Sequence, residues 1–275
     1  MLIFYPTGGL ANRMRVIDSA VRFGIQSKQK VKIIWVKDNG LNCSFSTIWY
    51  PVTFVKDYNW KWLPLFFSLR SKSRVFQKFL NLLEKLNLLK ILGANEYDAL
   101  RKLVRTERLR GYYCCLISTY STFFSGDNFQ RELFCLQPEI AKLVDKETED
   151  FDAHTIGVHI RRTDNGEAIR NSPLELFVEK MEAELQTESY TKFYVASDSE
   201  DVKRNLKSKF GDKVILRGGG LLDRNSQEGI IQAVVEMFAL SRTTKIFGSF
   251  WSSFSEMAAT IGNIDIFIVK KGEQK

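Results

Sequence analysis

Two arginines side by side, Arg161 and Arg162, end an apolar run and are followed by Thr163-Asp164. The run Gly157-Val158-His159-Ile160 reads as a strand. Alternation then puts His159 and Arg161 on one face, Ile160 and Arg162 on the other. Adjacent guanidiniums at a strand end need an anion or a carboxylate, and the guanidinium fork suits phosphate. Both needs apply here: one arginine serves a ligand and the other holds the structure. A second segment, Ala196-Ser197-Asp198-Ser199, also follows an apolar run. A carboxylate there can accept from ribose hydroxyls or a guanine edge. It can equally cap the next helix. A third, Gly248-Ser249-Phe250-Trp251-Ser252-Ser253-Phe254-Ser255, is a serine-rich turn before a helical pattern. Exposed N–H groups and the positive end of a helix form an anion site. A cap would need one serine, not three. A fourth, Gly8-Gly9-Leu10-Ala11-Asn12-Arg13-Met14, has the outline of a phosphate loop without either nucleotide-binding fingerprint. Its glycines admit close backbone approach, and Asn12 and Arg13 fall in the first turn of the next helix. Gly218-Gly219-Gly220 reads as a plain loop.

The elements that must hold these segments alternate. The second half reads as strands at 155–160, 192–196, 213–216, 245–248 and 265–269. Helices fall between them at 173–186, 201–210, 227–241 and 252–261, the first with Ser172 as cap and Pro173 as its first residue. Such alternation predicts a doubly wound parallel sheet, whose ligands bind beyond the strands' carboxyl ends. Three of the four segments fall on that rim. The first half begins with a strand at 2–5, a helix at 11–26 and a strand at 31–36. Residues 40–70 give no clear pattern, and helices are expected at 74–92, 95–109 and 128–147. A polar stretch at 147–150 suggests a division into 1–150 and 151–275.

The 275 residues suffice for one large or two small domains with a core of their own. No apolar run reaches the roughly 18–20 residues a membrane span needs. Met1 leads straight into a strand, so no signal peptide is expected and the chain reads as cytoplasmic. The four cysteines and two histidines lack metal-ligand spacing. The net charge of +8 lies wholly within 56–110, which holds 13 Lys and Arg against 5 Asp and Glu. That segment also carries Trp60, Trp62, Phe66, Phe67, Phe76 and Phe79. Val75, Phe76, Phe79, Leu80, Leu82, Leu83 and Leu86 recur at helical spacing. This stripe faces a core, or it docks on an anionic membrane beside a lipid-linked acceptor. Nucleic acid is not expected, since no recognised motif accompanies the charge.

Together the motifs resemble the fucosyltransferase superfamily of α1,2-, α1,6- and protein O-fucosyltransferases. HIRRTD at 159–164, Ala196-Ser197-Asp198 and the turn at 248–255 are similar to its three donor motifs, and GGLANRM at 8–14 to its N-terminal cleft loop. The resemblance covers the first 30 residues and most of 155–262. It implies two Rossmann-like lobes in a glycosyltransferase type B-like α/β fold. The C-terminal lobe would bind GDP-fucose and the N-terminal lobe face the acceptor. It also implies an inverting reaction with no metal or other cofactor. Arg161 matches the arginine on the donor diphosphate, His159 a nucleotide-contacting histidine, and Asp198 the nucleotide-binding carboxylate. Ser252, Ser253 and Phe254 match the diphosphate turn; Gly9 and Asn12 match the cleft loop. The chain has Asp-Ser where the family often has two acidic residues. An attacking hydroxyl needs a positioned carboxylate. Glu167 is the nearest, two residues closer to the motif than in the α1,6 group, and Asp164 is second. Glu236 and Arg224 look structural. The acceptor would be a glycan, lipid-linked or polysaccharide, with the enzyme cytoplasmic and peripheral at the inner membrane face. A same-fold transferase of another nucleotide sugar and a non-catalytic nucleotide- or glycan-binding relative are the alternatives.

Overall fold

A computed structural model describes the chain except residues 59–61, 127–128, 164, 217–222, 224 and 273–275, and the side chains of 62, 64, 68, 69 and 71. Trp60, Asp164, Gly218, Gly219, Gly220 and Arg224 therefore lie outside the described residues, as does the Trp62 side chain. The chain divides into two compact units, Met1–Gln137 with Arg224–Gln227, and Pro138–Asp223 with Glu228–Lys275.

The first unit contains β1 (Leu2–Pro6), α1 (Leu10–Ser27), β2 (Val31–Val36), α2 (Phe45–Ile48), β3 (Val55–Tyr58), α3 (Trp62–Lys72), α4 (Arg74–Lys85), β4 (Leu89–Leu92), α5 (Tyr97–Arg105) and β5 (Cys114–Thr119). Its sheet is ordered β3-β2-β1-β5-β4, and the pairs are parallel. The expected helix at 74–92 stops at Lys85. Asn87 turns the chain in a left-handed conformation (φ 55°), and Leu89–Leu92 becomes an edge strand on β5. Asparagine tolerates that conformation better than most residues, and a leucine-rich run fits either period. The helix expected at 95–109 is α5 flanked by 3-10 turns. Of the helix expected at 128–147, only Pro138–Glu147 forms. Proline lacks an N–H and favours the first helical position, so the helix starts there.

That helix, α6, opens the second unit. β6 (Thr155–Ile160), α7 (Gly166–Asn171), α8 (Leu174–Thr187), β7 (Lys192–Ser197), α9 (Glu200–Phe210), β8 (Val214–Ile215), α10 (Gln227–Leu240), β9 (Lys245–Ser249), α11 (Ser253–Gly262) and β10 (Asp265–Val269) follow. α6 lies ahead of the division suggested at 150 but packs with this unit. Tyr194 of β7 donates to Glu147 (2.8 Å), and Arg242 pairs with Asp145 (2.8 Å). The sheet is parallel, ordered β10-β9-β6-β7-β8. Right-handed crossovers place α8 and α9 on one face, α10 and α11 on the other. On the first face Ile156, Val158 and Ile160 join Phe177, Met181, Val202 and Leu206 in one core. Alternation turns Gly157 and His159 to the other.

The strand order jumps at β1/β5 in the first sheet and reverses at β6/β9 in the second. Ligands of doubly wound sheets bind outside the carboxyl ends where the order reverses. The GGLANRM loop leaves β1 at the first. HIRRTD leaves β6 and the serine turn leaves β9 at the second, where His159 is in register with Gly248.

Candidate functional site

In the second unit three strand ends are laced together by short hydroxyl and carboxylate side chains. Ser249 Oγ accepts from the Arg161 N–H (3.0 Å) and donates to the His159 carbonyl (3.3 Å), tying β9 to β6. Ser197 Oγ donates to the Ile160 carbonyl (2.7 Å), tying β7 to β6. Asp198 accepts from the Arg162 N–H (2.6 Å), the Thr163 N–H (3.2 Å) and the Thr163 hydroxyl (2.7 Å). Both carboxylate oxygens thus brace the HIRRT loop. Neither is used as a helix cap; Ser199 caps α9, accepting from the Val202 N–H (3.5 Å).

Arg162 is bound into the structure. Arg162 donates to the Arg161 carbonyl (3.0 Å) and the Ser172 carbonyl (2.7 Å), clamping its own loop to the end of α7. Burial lowers its pKa, and the charge of Asp198 opposes that shift. Arg161 continues the β6 face that carries His159. Ser172 does not cap α8 as expected: Pro173 is the residue at that cap. The buried Ser172 hydroxyl instead donates to the Val269 carbonyl (2.6 Å) and accepts from the Phe250 N–H (2.8 Å). The β10 end, the serine turn and α7 are held together through one oxygen. The Ser-Pro pair imitates a helix start closely enough to hide this role.

His159 is buried under the serine turn. Phe254 stacks on its ring (centroids 4.9 Å apart, 25°), and Ser252 Oγ lies 3.4 Å from Nδ1. Burial, then the neighbouring charge of Arg161, pushes its pKa down to about 4, against the pull of Asp198. The imidazole is therefore neutral near pH 7. Ser252 is the N-cap residue of α11 but makes no side-chain cap bond. Ser253 and Phe254 are the first two residues of that helix, so their N–H groups belong to the turn that intrahelical bonding leaves open. The turn enters α11 through Trp251, an exposed residue with φ 55°, whose carbonyl accepts from Asn165 (3.0 Å). A left-handed tryptophan is strained by roughly 1 kcal/mol or more. Gly248 allows the helix to sit close: a Cβ there would lie 2.8 Å from Ser255 Oγ and 3.0 Å from Ile266.

Glu167 lies in the first turn of α7, facing its own helix. One carboxylate oxygen pairs with Arg170 and the other accepts from Asn171 (3.2 Å). Glu236 is buried on α10, and burial raises its pKa to about 7, with Lys203 opposing.

In the first unit, Gly8 has φ +78° and Gly9 is the N-cap residue of α1. Nothing lies within 4 Å of where a Gly9 Cβ would stand. Asn12 is in the first turn, half-buried. Arg13 is the unexpected member. It is fully buried, donating to the Gly8 carbonyl (2.9 Å), the Val36 carbonyl (2.5 Å) and Asp38 (2.6 Å), with Trp35 under its guanidinium. It pins the glycine loop to the end of β2. Asp38 in turn accepts from the Gly40 and Leu41 N–H groups. Beside this loop, at the carboxyl edge of the first sheet, lies a cavity of about 770 Å³. Tyr5, Thr7, Arg70, Asn81, Asn95 and Glu96 are among its walls, and Arg70 and Glu96 form a two-point ion pair in its lining.

Among the described residues no cluster of three or more His, Cys, Asp or Glu could hold a metal ion. No protein-family model and no curated protein sequence matches the chain. Solved structures do match it. The NodZ alpha-1,6-fucosyltransferase of Bradyrhizobium, soaked with GDP-fucose, superposes with a TM-score of 0.66 at 18% identity, over 94% of this chain and 92% of its own. Arabidopsis thaliana FUT1 with GDP gives 0.65 at 16%, over 97% and 70%. POFUT1 with GDP gives 0.55 at 9%, over 98% and 97%. The chain has the fold of these proteins, two Rossmann-like α/β units in the glycosyltransferase type B-like manner.

Proposed function

We propose that the chain is an inverting, metal-independent glycosyltransferase that moves fucose from GDP-fucose to a hydroxyl of a glycan. One observation carries the reading. Structures bound to GDP or GDP-fucose share the fold over at least 94% of this chain, and the diphosphate-type residues here gather where that fold binds ligands, at the β6/β9 reversal. Departure of GDP develops negative charge on the outer phosphate. Arg161 and the open turn of α11 at Ser252, Ser253 and Phe254 supply fixed positive potential for it. Neutral His159, wedged under Phe254, offers nitrogen to the nucleotide rather than charge. Asp198, which the resemblance matches to the nucleotide-binding carboxylate, acts in this reading as a positioning residue that sets the Arg161–Thr163 loop. Gly9 and Asn12 keep the donor-binding role that the resemblance implies for the cleft loop. The 770 Å³ cavity, with its alternating amide, hydroxyl and charged walls, suits the acceptor sugar, lipid-linked or free.

Glu167 is the base in this reading. It must release Arg170 to take a proton, and a carboxylate so held favours a second reading, a relative that binds nucleotide sugar without transfer. Arg161 and the α11 turn would serve any diphosphate, so a different nucleotide sugar is the remaining alternative.

Calorimetric titration with GDP, GDP-fucose, GDP-mannose, UDP-GlcNAc and ADP, with and without EDTA, tests the proposal. Tight binding of GDP and GDP-fucose, insensitive to EDTA, is expected. Preference for the UDP-sugar overturns the fucose assignment. Binding to none of them removes the donor site altogether.

A further inference from the structure

Among the described elements of the first unit, α4 stands out. It spans twelve residues, about 18 Å, and none of its residues is buried. Its apolar residues form two groups. Phe76, Leu80 and Leu83 turn toward the unit and are half-buried, with Phe76 edge-on to Phe66. Val75, Phe79 and Leu82, with Leu86 just past the end, are 80%, 55%, 54% and 58% exposed. At 3.6 residues per turn these four lie within roughly 60° of arc. They form one continuous stripe facing away from the protein. Single exposed leucines are ordinary, but an aligned row of four large side chains is not. The core-facing reading of this stripe therefore does not hold for its outer half.

The flank of the stripe is basic. Arg74, Lys78 and Lys85 are exposed along one side, and Lys72, at the end of α3, is exposed just ahead of the helix. The helix has a single acidic residue, Glu84, on the opposite side and paired with Lys90. The surrounding segment 56–110 carries the whole net charge of the chain. An apolar row rimmed by lysine and arginine is the pattern of a helix lying in the plane of an anionic bilayer surface. We propose that α4 docks the protein on anionic lipid, with Val75, Phe79, Leu82 and Leu86 entering the headgroup boundary and the flanking cations on lipid phosphates.

Charge selects this occupant over the others. A second copy of the chain would bring the same patch against itself, basic rim on basic rim. A nucleic acid would use the cations but leave Val75, Leu82 and Leu86 wet. Neither argument depends on the catalytic reading, and vesicle binding is measured without donor or acceptor.

The test is co-sedimentation at low salt with phosphatidylcholine vesicles, with and without phosphatidylglycerol. Binding to the anionic vesicles alone is expected, weakening as salt rises. Each cation lost in Lys78→Gln and Lys85→Gln weakens it about fivefold. Phe79→Asn with Leu82→Asn weakens it on the order of 30-fold, as does Val75→Asn with Leu86→Asn. These positions are exposed, so circular dichroism of the variants should match the parent. Failure to bind anionic vesicles, or undiminished binding by both apolar variants, overturns the proposal. So does a dimer in light scattering that dissolves in those variants while vesicles are ignored, or binding to single-stranded RNA but not to vesicles.

Discussion

Asp198→Asn separates a brace from a ligand contact. In the structure the carboxylate takes three hydrogen bonds from one loop, at 2.6, 3.2 and 2.7 Å. Hydrogen bonds to a charged acceptor contribute about 1.5–3 kcal/mol each and neutral ones about 0.5–1.5. The amide keeps one acceptor oxygen but sets its NH2 against a loop donor. Because Asp198 is half-exposed, solvent screens part of the loss. The net cost should be about 2 kcal/mol, read as a fall in urea midpoint. Thr163→Val removes the hydroxyl arm of the same brace and should cost about 1 kcal/mol alone. The two losses share a bond, so the double variant should be more stable than their sum by about 0.5–1 kcal/mol. Calorimetry adds the second readout. A displaced loop weakens GDP, GDP-fucose and ADP alike, since all rely on Arg161. A direct contact with the base or ribose would leave stability within a few tenths of a kcal/mol and penalise GDP over ADP. That pair of results, or strict additivity of the two substitutions, refutes the brace.

The arginines make the next contrast. Arg161→Ala should abolish donor binding in a folded protein, while Arg162→Ala, which loses bonds to the Arg161 and Ser172 carbonyls, should lower stability by about 2 kcal/mol; equal loss of affinity in two stable variants contradicts this division. Glu167→Gln should reduce transfer by roughly 10²–10⁴-fold with GDP-fucose affinity unchanged, and unaltered turnover removes Glu167 as the base. His159 gives a pH signature. Its pKa falls from 6.5 to about 4 on folding, so the unfolded chain binds the extra proton between those values. Its contribution is complete above pH 6.5 and is lost as pH falls toward 4. Glu236, raised from 4.5 to about 7, acts in the opposite sense, losing its contribution as pH rises through 7. The parent's overall profile therefore hides both, and the comparison must be with His159→Gln. The stability gap between parent and variant should shrink by about 2 kcal/mol from pH 7 to pH 5. A gap independent of pH in urea titrations means the imidazole is not held neutral.

What could be read from the sequence follows from where each strand sits. β6 is buried along its whole length, so it appears as an unbroken apolar run between helical patterns, and its end is marked by the arginines. β4 is an edge strand after a helix, in a stretch of leucines that satisfies both periods. Only the left-handed Asn87 separates the two, and a lone asparagine does not announce its conformation. Arg13 was hidden for a different reason. Arginine is rarely buried unless paired, and its partners, two carbonyls and Asp38, are not visible as spacing. The α4 pattern shows a third limit. Periodicity identifies an apolar face but carries no sign for whether anything covers it, and here its outer half is bare.

The serines carry the argument furthest. As motif members, Ser249 and Ser252 belong to the turn read as an anion site, and Ser197 to the segment read for its carboxylate. In the fold, Ser197 and Ser249 spend their hydroxyls on neighbouring strands. They can do so because a hydroxyl donates and accepts at once, and so can join the ends of parallel strands where the ladder stops. Asp198 and Arg162 are spent in the same way on the loop itself. Beside these braces stand Arg161, His159 and the opening turn of α11, the smaller set that the proposed function directs at a ligand. The braces explain why that set has the form it does. An anion held by one guanidinium and a few N–H groups needs those donors fixed before it arrives. Two serines, one aspartate and one arginine fix them from three strands at once, so substitutions among the braces should move the affinity for every diphosphate together. Those in the smaller set should act one ligand group at a time.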